Sequence, residues 1–116
     1  MSDTPINFAK LEEMKEVMGE IFIQLLPAFI EQSDELIGAM PGLLSSGTID
    51  VLERNAHSIK SSSLNVGAEH LSEIARVLED MSRNNDSANL LNEKITAITD
   101  EYANVKTTLQ NYLQSM

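Results

Sequence analysis

His57 is the residue of this sequence best suited to reversible chemistry, and its neighbours are of types that support it. A neutral imidazole keeps a lone pair on one nitrogen and can take up a phosphoryl group as a reactive phosphoramidate. On a helix, Lys60 lies about 60° around from His57 and one turn away, and Arg54 lies one turn earlier. Lys60 has only hydrogen-bond donors, so it can offset phosphate charge without competing for the phosphoryl group.

A structural interpretation of His57 stays open at this point, because a surface histidine is usually only a surface residue. The apolar stripe expected on its helix passes through Ala56 and Ile59, which places His57 at the edge of the core with its ring in contact with water. Residues 61–63 are all serine and leave space beside that ring. The combination favours an open docking site over a closed pocket.

The sequence offers no other pattern for catalysis or ligand binding. Residues 42–47 have the two-glycine spacing of a phosphate-binding loop, but Thr48 follows where that loop needs a lysine. No G-x-G-x-x-G motif is present for ATP. Cysteine is absent, and His57 and His70 are 13 residues apart without metal-binding Glu spacing. We therefore expect no cofactor and no metal in this chain.

Hydrophobic residues recur at steps of three and four along nearly the whole sequence, which predicts an all-α protein. Helices with one apolar face and short connections favour an antiparallel up-down four-helix bundle with a short additional N-terminal helix, in a single domain of residues 1–116. The short helix is expected at about 7–18 and the bundle helices at about 20–46, 49–66, 68–83 and 87–114.

Capping residues and prolines mark the expected ends of the bundle helices. Ser87 and Thr48 are expected N-caps, and Gly47 can end a helix in the left-handed conformation. Pro27 should kink the helix predicted at 20–46 or lie near its start, and Pro41 disturbs its end. The buried face of that helix is expected to contain Phe22, Leu25, Phe29, Gln32, Leu36, Met40 and Leu43.

Composition limits the function classes. The 116 residues are 42% hydrophobic and 4% aromatic, which fits one domain with an aliphatic core. The net charge of −10 disfavours nucleic-acid and membrane binding. Half of the Lys and Arg residues lie within 54–83, which marks either a functional patch or core-packed helices with few acids. Without a signal peptide or membrane-spanning run, we expect a cytoplasmic monomer.

Residues 56–79 carry a resemblance to a known family. They begin Ala-His, place Lys60 three residues after the histidine, and continue through Gly67-Ala68 to an apolar helix that includes Leu78-Glu79. This stretch resembles, without a gap, the signature of histidine-containing phosphotransfer (HPt) domains. Ile59 and Ala75 replace the usual Leu and Cys, which are exchanges of little consequence.

The resemblance implies a role for each matching residue. His57 is the phosphorylated histidine, Lys60 neutralises phosphate charge, Gly67 is the turn glycine, and Glu79 orients the imidazole by keeping the far ring nitrogen protonated. Ser61 replaces the usual glycine, so partner choice or transfer rate is expected to differ. The partner-binding surface is expected to include Arg54, Ser58, Ser61, Leu64, Asn65, Gly67 and Arg83.

The resemblance further implies a phosphorelay carrier and not an enzyme. His57 takes the phosphoryl group from a phosphoaspartate on the receiver domain of a hybrid histidine kinase and passes it to the receiver domain of a response regulator. The receivers supply Mg²⁺. Two alternatives stay open: an adaptor bundle that docks to receivers without phosphorylation, and the phosphorylated domain of a larger histidine kinase. The ends at Met1 and Met116 favour a free-standing module.

Overall fold

The computed structural model describes residues 4–116, and every regular element within that range is an α-helix. Residues 1–3, which the predicted domain of 1–116 includes, lie outside the described part. The helices are α1 (Phe8–Met18), α2 (Glu20–Gly38), α3 (Met40–Ser45), α4 (Ile49–Asn65), α5 (Glu69–Arg83) and α6 (Ala88–Gln114). The predicted helical bundle is confirmed: α2, α4, α5 and α6 form a ring in which α4 and α5 make the most extensive contact.

The predicted helix over 20–46 is wrong as a single element. It is divided at Ala39 into α2 and α3, and Pro41 lies in the first turn of α3. Proline has no N–H and its ring crowds the carbonyl four residues before it, so Pro41 is well accommodated in the first turn of α3, where that N–H needs no partner within the helix. Pro27, in contrast, lies inside α2, and the helix continues past it. The short α3 closes one end of the bundle against α4 and α6.

The apolar faces of α4 and α6 lie where the spacing predicts, but the face of α2 differs. Leu25 is only half-buried and Gln32 is exposed, so the predicted register is wrong for these two positions, whereas Leu36 and Leu43 are half-buried against the core. Both registers satisfy helical spacing, and the packing of α2 against α4 and α6 selects the neighbouring one. The buried residues of α2 are Phe22, Leu26, Phe29, Ser33 and Ile37.

Polar contacts fasten α2 to α6 across the ring. The Tyr102 hydroxyl lies 2.7 Å from Asp34 Oδ1 and 2.9 Å from the Ile30 carbonyl oxygen, and Lys106 Nζ lies 3.0 Å from both Asp34 oxygens. The hydrogen bond from Tyr102 is the main cause that lowers the pKa of Asp34 below its ordinary value of 3.8, and Lys106 lowers it further against the opposite effect of burial. Asp34 is therefore a charged acceptor that joins the two helices.

Gly67 makes the tight connection between α4 and α5. Its φ of +83° lies in the left-handed region, and its carbonyl oxygen accepts a 2.8 Å hydrogen bond from the Asn7 backbone N–H. A Cβ added at Gly67 would lie 2.9 Å from the Asn7 carbonyl oxygen. This glycine thus joins the end of α4 to the start of α1 at a distance that admits no side chain.

We expect Gly67→Ala to destabilise the fold more than Gly47→Ala does. Gly47 has a similar φ of +73°, but a Cβ there meets nothing within 4 Å. Left-handed backbone alone costs about 1–2 kcal/mol for alanine, and the collision with Asn7 adds to that cost only at position 67. Urea unfolding of the two variants measures the difference, and equal losses of unfolding free energy would contradict it.

Candidate functional site

His57 lies on α4 at the boundary between core and solvent. Ala56 and Ile59, its neighbours on the helix, are fully buried, whereas the His57 side chain is 58% exposed. The same helix turn therefore anchors α4 in the core and presents the imidazole to solvent. This is the position that the hydrophobic spacing predicts.

Glu79 of α5 is the residue that contacts the imidazole. Its side chain is only 6% exposed, and its Oε2 lies 2.7 Å from His57 Nδ1. The other carboxylate oxygen, Oε1, accepts a 2.7 Å hydrogen bond from Lys60 Nζ. A weaker bond of 3.3 Å reaches Oε2 from Arg83 Nη2. One buried carboxylate thus binds donors from both α4 and α5.

The charge state of Glu79 determines how the imidazole is protonated. Burial raises the pKa of the Glu79 carboxyl, but the hydrogen bonds and charges of Lys60 and His57 outweigh burial, so the pKa lies below its ordinary value of 4.5. The carboxylate is therefore ionised near neutral pH and can only accept hydrogen bonds. His57 Nδ1 is therefore the donor in this contact, and in the neutral ring the lone pair lies on Nε2.

Lys60 lies beside His57 on α4, as predicted, but its ammonium is bound to Glu79. The side chain is 29% exposed. Its backbone carbonyl oxygen accepts a 2.7 Å hydrogen bond from the hydroxyl of Ser72, a buried residue of α5. Ser72 therefore fixes the backbone of Lys60 to the neighbouring helix, and only the flexible side chain of Lys60 is free to move.

Two further arginines lie near the imidazole. Arg83 Nε donates a 3.1 Å hydrogen bond to Glu53 Oε2, in addition to its bond to Glu79. Arg54 is the one arginine of residues 4–116 that has no hydrogen bond or ion pair. A shallow cleft of about 510 Å³ beside the ring is lined by Glu53, Arg54, His57, Ser58, Glu79 and Arg83. Cationic groups thus surround the imidazole on an otherwise acidic protein.

A sequence model of the Hpt domain matches residues 24–108, which is most of the chain and includes all of α4 and α5. The chain belongs to the Hpt domain family. Hpt proteins are phosphotransfer carriers that interact with receiver domains in signalling relays, and they are not enzymes in the usual sense. This Hpt domain is accordingly a histidine phosphotransfer carrier.

Solved structures agree with this assignment. The crystal structure of histidine-containing phosphotransfer protein B from Pseudomonas aeruginosa PAO1 has a TM-score of 0.89 and 26% identity over 99% of both chains. A rice protein assigned as a histidine-containing phosphotransfer protein has a TM-score of 0.85 over 98% of this chain and 85% of its own, and its 16% identity supports the fold alone. A comparison with curated protein sequences gives no match.

Most residues expected to meet a partner are accessible in this Hpt domain. Ser61 and Asn65 are exposed, Leu64 is 46% exposed, and Ser58 is half-buried. Gly67 is buried, and its expected contact with a partner stays a prediction. Its main-chain bond to Asn7 and its lack of a side chain explain its role in the turn between α4 and α5.

An apolar groove near the end of α4 was not predicted from the sequence. The groove measures about 700 Å³ and lies between α1, α2 and the end of α4. Near it, Val17 and Ile21 are 81% and 62% exposed. Leu25, which the spacing assigns to the buried face of the predicted helix, is only half-buried and lines this groove instead. The lining consists of Lys10, Met14, Met18, Leu25, Ala28, Phe29, Gln32, Ser62, Asn65 and Val66.

Residues 4–116 contain neither a cluster of metal ligands nor a helix suited to span a membrane. Within residues 4–116, no group of three or more His, Asp or Glu side chains is arranged to hold a metal ion. In the same range, no helix combines the length and apolarity that a membrane span requires. Arg54, Lys60 and Arg83 carry the N–H donors near His57 that a small anion could bind, although Lys60 and Arg83 also bind Glu79.

We expect Glu79→Gln to lower the free energy of unfolding at pH 7 by about 1–2 kcal/mol, since it replaces charged hydrogen bonds with neutral ones. A carboxyl whose pKa is lowered by folding contributes stability above its ordinary value of 4.5, and this contribution is lost as the pH falls through the folded pKa. The difference between wild type and variant should therefore shrink below pH 4.5.

Urea unfolding at a series of pH values measures this difference. His57, Lys60 and Arg83, the donors that face Glu79, are present in both proteins, so the comparison isolates the carboxyl. Glu93→Gln serves as the control, because Glu93 is an exposed acid of α6 that makes no ion pair within the described residues. A gap between wild type and Glu79→Gln that stays constant from pH 7 to pH 3 would refute the assigned charge of Glu79.

Proposed function

We propose that His57 accepts a phosphoryl group from the aspartyl phosphate of one receiver domain and passes it to the aspartate of another. The donor is the receiver domain of a hybrid histidine kinase, the acceptor is a response regulator, and the protein acts as a monomer in the cytoplasm. The contact between His57 Nδ1 and Glu79 Oε2 carries this proposal. It supports a ring with its protonated nitrogen held by the protein and its nucleophilic nitrogen available to a partner.

The proposed step needs no proton transfer. The lone pair on His57 Nε2 attacks the phosphorus atom, the bond from phosphorus to the aspartate oxygen breaks, and the aspartate leaves as a carboxylate with the bonding electrons. The proton stays on Nδ1, and the positive charge that develops on the phosphorylated ring is offset by Glu79. Transfer to the second receiver is the reverse of this reaction with a different aspartate.

The two proteins divide the requirements of the reaction. The receiver supplies Mg²⁺ and carboxylates, which neutralise the phosphoryl group before it leaves. The Hpt domain supplies a nucleophile fixed between two packed helices, with Lys60 close enough to accompany the phosphoryl group. This division explains why one imidazole and its hydrogen-bond partners are sufficient on this side.

A receiver domain that reaches His57 must cover the exposed face of α4. Ser61, Leu64 and Asn65 form that face, and Asn65 also lines the apolar groove between α1 and α2. We propose that the receiver contacts both surfaces, with apolar residues in the groove and acidic residues near Arg54. The Ser61 hydroxymethyl group stands where the family has a glycine, and it narrows the approach to the ring. The interface should be modest in area, because a carrier must release each partner.

We expect His57→Gln to abolish phosphoryl uptake and to leave the fold intact. The glutamine amide cannot form a phosphoramidate, and His57 is exposed, so the substitution does not disturb the core. Incubation with a phosphorylated receiver domain, followed by detection of acid-labile phosphate on the Hpt domain, measures uptake. Circular dichroism and thermal unfolding check the fold.

His70→Gln is the matched control, since His70 is the only other histidine and lies on α5 away from Glu79. Uptake by His57→Gln at the wild-type rate would refute the proposed function. Binding of His57→Gln to a receiver without any phosphoryl uptake by wild type would favour the adaptor interpretation instead.

We expect Lys60→Ala to slow transfer from a phosphorylated receiver by about tenfold, the equivalent of one charge-assisted hydrogen bond. Lys94→Ala is the control, because Lys94 lies on α6 and has no ion pair in the structure. Rapid-quench measurement of the phosphorylated Hpt domain gives both rates. If the two variants transfer equally fast, Lys60 does not neutralise the phosphoryl group.

A further inference from the structure

Lys60 has two possible anionic partners once His57 is phosphorylated. In the structure its ammonium is 2.7 Å from Glu79 Oε1. The proposed function needs the same ammonium beside the phosphoryl group on His57 Nε2. Because Lys60 is a point charge on a flexible stem whose backbone is fixed by Ser72, it can turn from one anion to the other without a change in the helix.

If the Lys60 ammonium moved away from Glu79, the negative charge of this carboxylate would lose one of its cationic partners. The carboxylate is 6% exposed, so water replaces little of the lost interaction. A buried charge that loses a partner is strongly destabilised. The positive charge of the phosphorylated ring offsets part of this loss at Glu79 Oε2, and a second cation that strengthens its contact with Glu79 would make the movement of Lys60 more favourable.

Arg83 lies close enough to Glu79 to supply this second cation. Its Nη2 is already 3.3 Å from Glu79 Oε2, on the oxygen that also binds His57. The guanidinium has five donors, so it can strengthen its contact with Glu79 and keep its contact with Glu53. Glu53 Oε2 accepts from Arg83 Nε at 3.1 Å, and Glu53 lies one turn before His57 on α4. Asp80 competes weakly for the same arginine at 3.6 Å.

We propose that Arg83 and Glu53 are positioning residues of the phosphotransfer site, which hold Glu79 on the imidazole when Lys60 moves to the phosphoryl group. This inference rests on the proposed function. It replaces the expectation that Arg83 binds a partner directly. Glu53 acts through Arg83, Arg83 acts through Glu79, and neither of them contacts the phosphoryl group.

The inference is tested with His57 phosphorylated chemically by potassium phosphoramidate, so that no receiver domain is needed. The NMR signal of the Lys60 Cε group, identified by its loss in Lys60→Ala, reports the surroundings of the ammonium. We expect phosphorylation to shift this signal strongly in wild type. In Arg83→Gln the shift should be less than half as large, because Lys60 stays on Glu79.

Three further variants sharpen the result. Arg83→Lys keeps the positive charge and should restore the shift, whereas Glu53→Gln weakens the anchor of Arg83 and should reduce it. Arg76→Gln is the matched control: Arg76 is also on α5, but it binds Glu73 and Asp80 and not Glu79. We expect Arg76→Gln to behave as wild type.

A receiver domain then supplies a second measurement. We expect Arg83→Gln to shift the transfer equilibrium away from phosphohistidine by about three- to tenfold, within the range of a partly exposed charged contact. If Arg83 acts by releasing Lys60, the double variant with Lys60→Ala should shift the equilibrium no further than Lys60→Ala alone. Additive shifts would mean that Arg83 contacts the phosphoryl group itself, and they would overturn the inference.

The two proposals fail in different ways. If wild-type His57 takes no phosphoryl group from phosphoramidate or from any receiver, the proposed function is refuted and this inference with it. If His57 is phosphorylated and the Lys60 signal shifts equally in wild type and Arg83→Gln, only the role of Arg83 is refuted.

Discussion

A buried carboxylate between two helices is the interaction on which the site depends. Glu79 is 6% exposed and binds His57 at 2.7 Å through one oxygen and Lys60 at 2.7 Å through the other. Burial alone would favour the neutral acid, and the cationic donors reverse that preference. Because the carboxylate stays charged, it can only accept, and this single restriction decides which imidazole nitrogen has the lone pair. The nitrogen that donates to the protein is thus selected by a residue that lies on a different helix from the imidazole.

The packing of α4 against α5 holds His57 and Glu79 in fixed relative positions. The contact between α4 and α5 is the most extensive in the molecule, and the tight connection at Gly67 brings the two helices together immediately after Asn65. Ser72 adds a bond from α5 to the Lys60 backbone. A fixed imidazole favours transfer, because the nucleophilic nitrogen must lie in line with the phosphorus–oxygen bond that breaks. Apolar packing beneath His57 and polar bonds beside it supply that order.

Some helix faces and site residues could be predicted from the sequence, and others could not. The faces of α4 and α6 were predictable because their apolar residues follow a single helical stripe. The face of α2 was not, since its apolar residues satisfy two neighbouring registers and only contact with α4 and α6 selects one. His57 and Lys60 share a helix, so their proximity followed from spacing. The position of Glu79 followed from family resemblance, whereas the Glu53–Arg83 pair depends on the rotation of α4 against α5, which one sequence does not contain.

The distribution of charge explains how an acidic protein can handle a phosphoryl group. The net charge is −10, which on its own would repel a phosphorylated receiver. Around His57, however, Lys60 and Arg83 are paired with acids, and in the proposed site Lys60 moves to the phosphoryl group while Arg83 stays on Glu79. Arg54 has no such pair and is available at first contact. The remaining acidic surface adds no attraction for an anionic partner, so no large attractive field holds such a partner in place. Local cations on an acidic surface thus combine attraction at one point with weak attraction elsewhere, which suits a phosphotransfer carrier that binds a partner and then releases it.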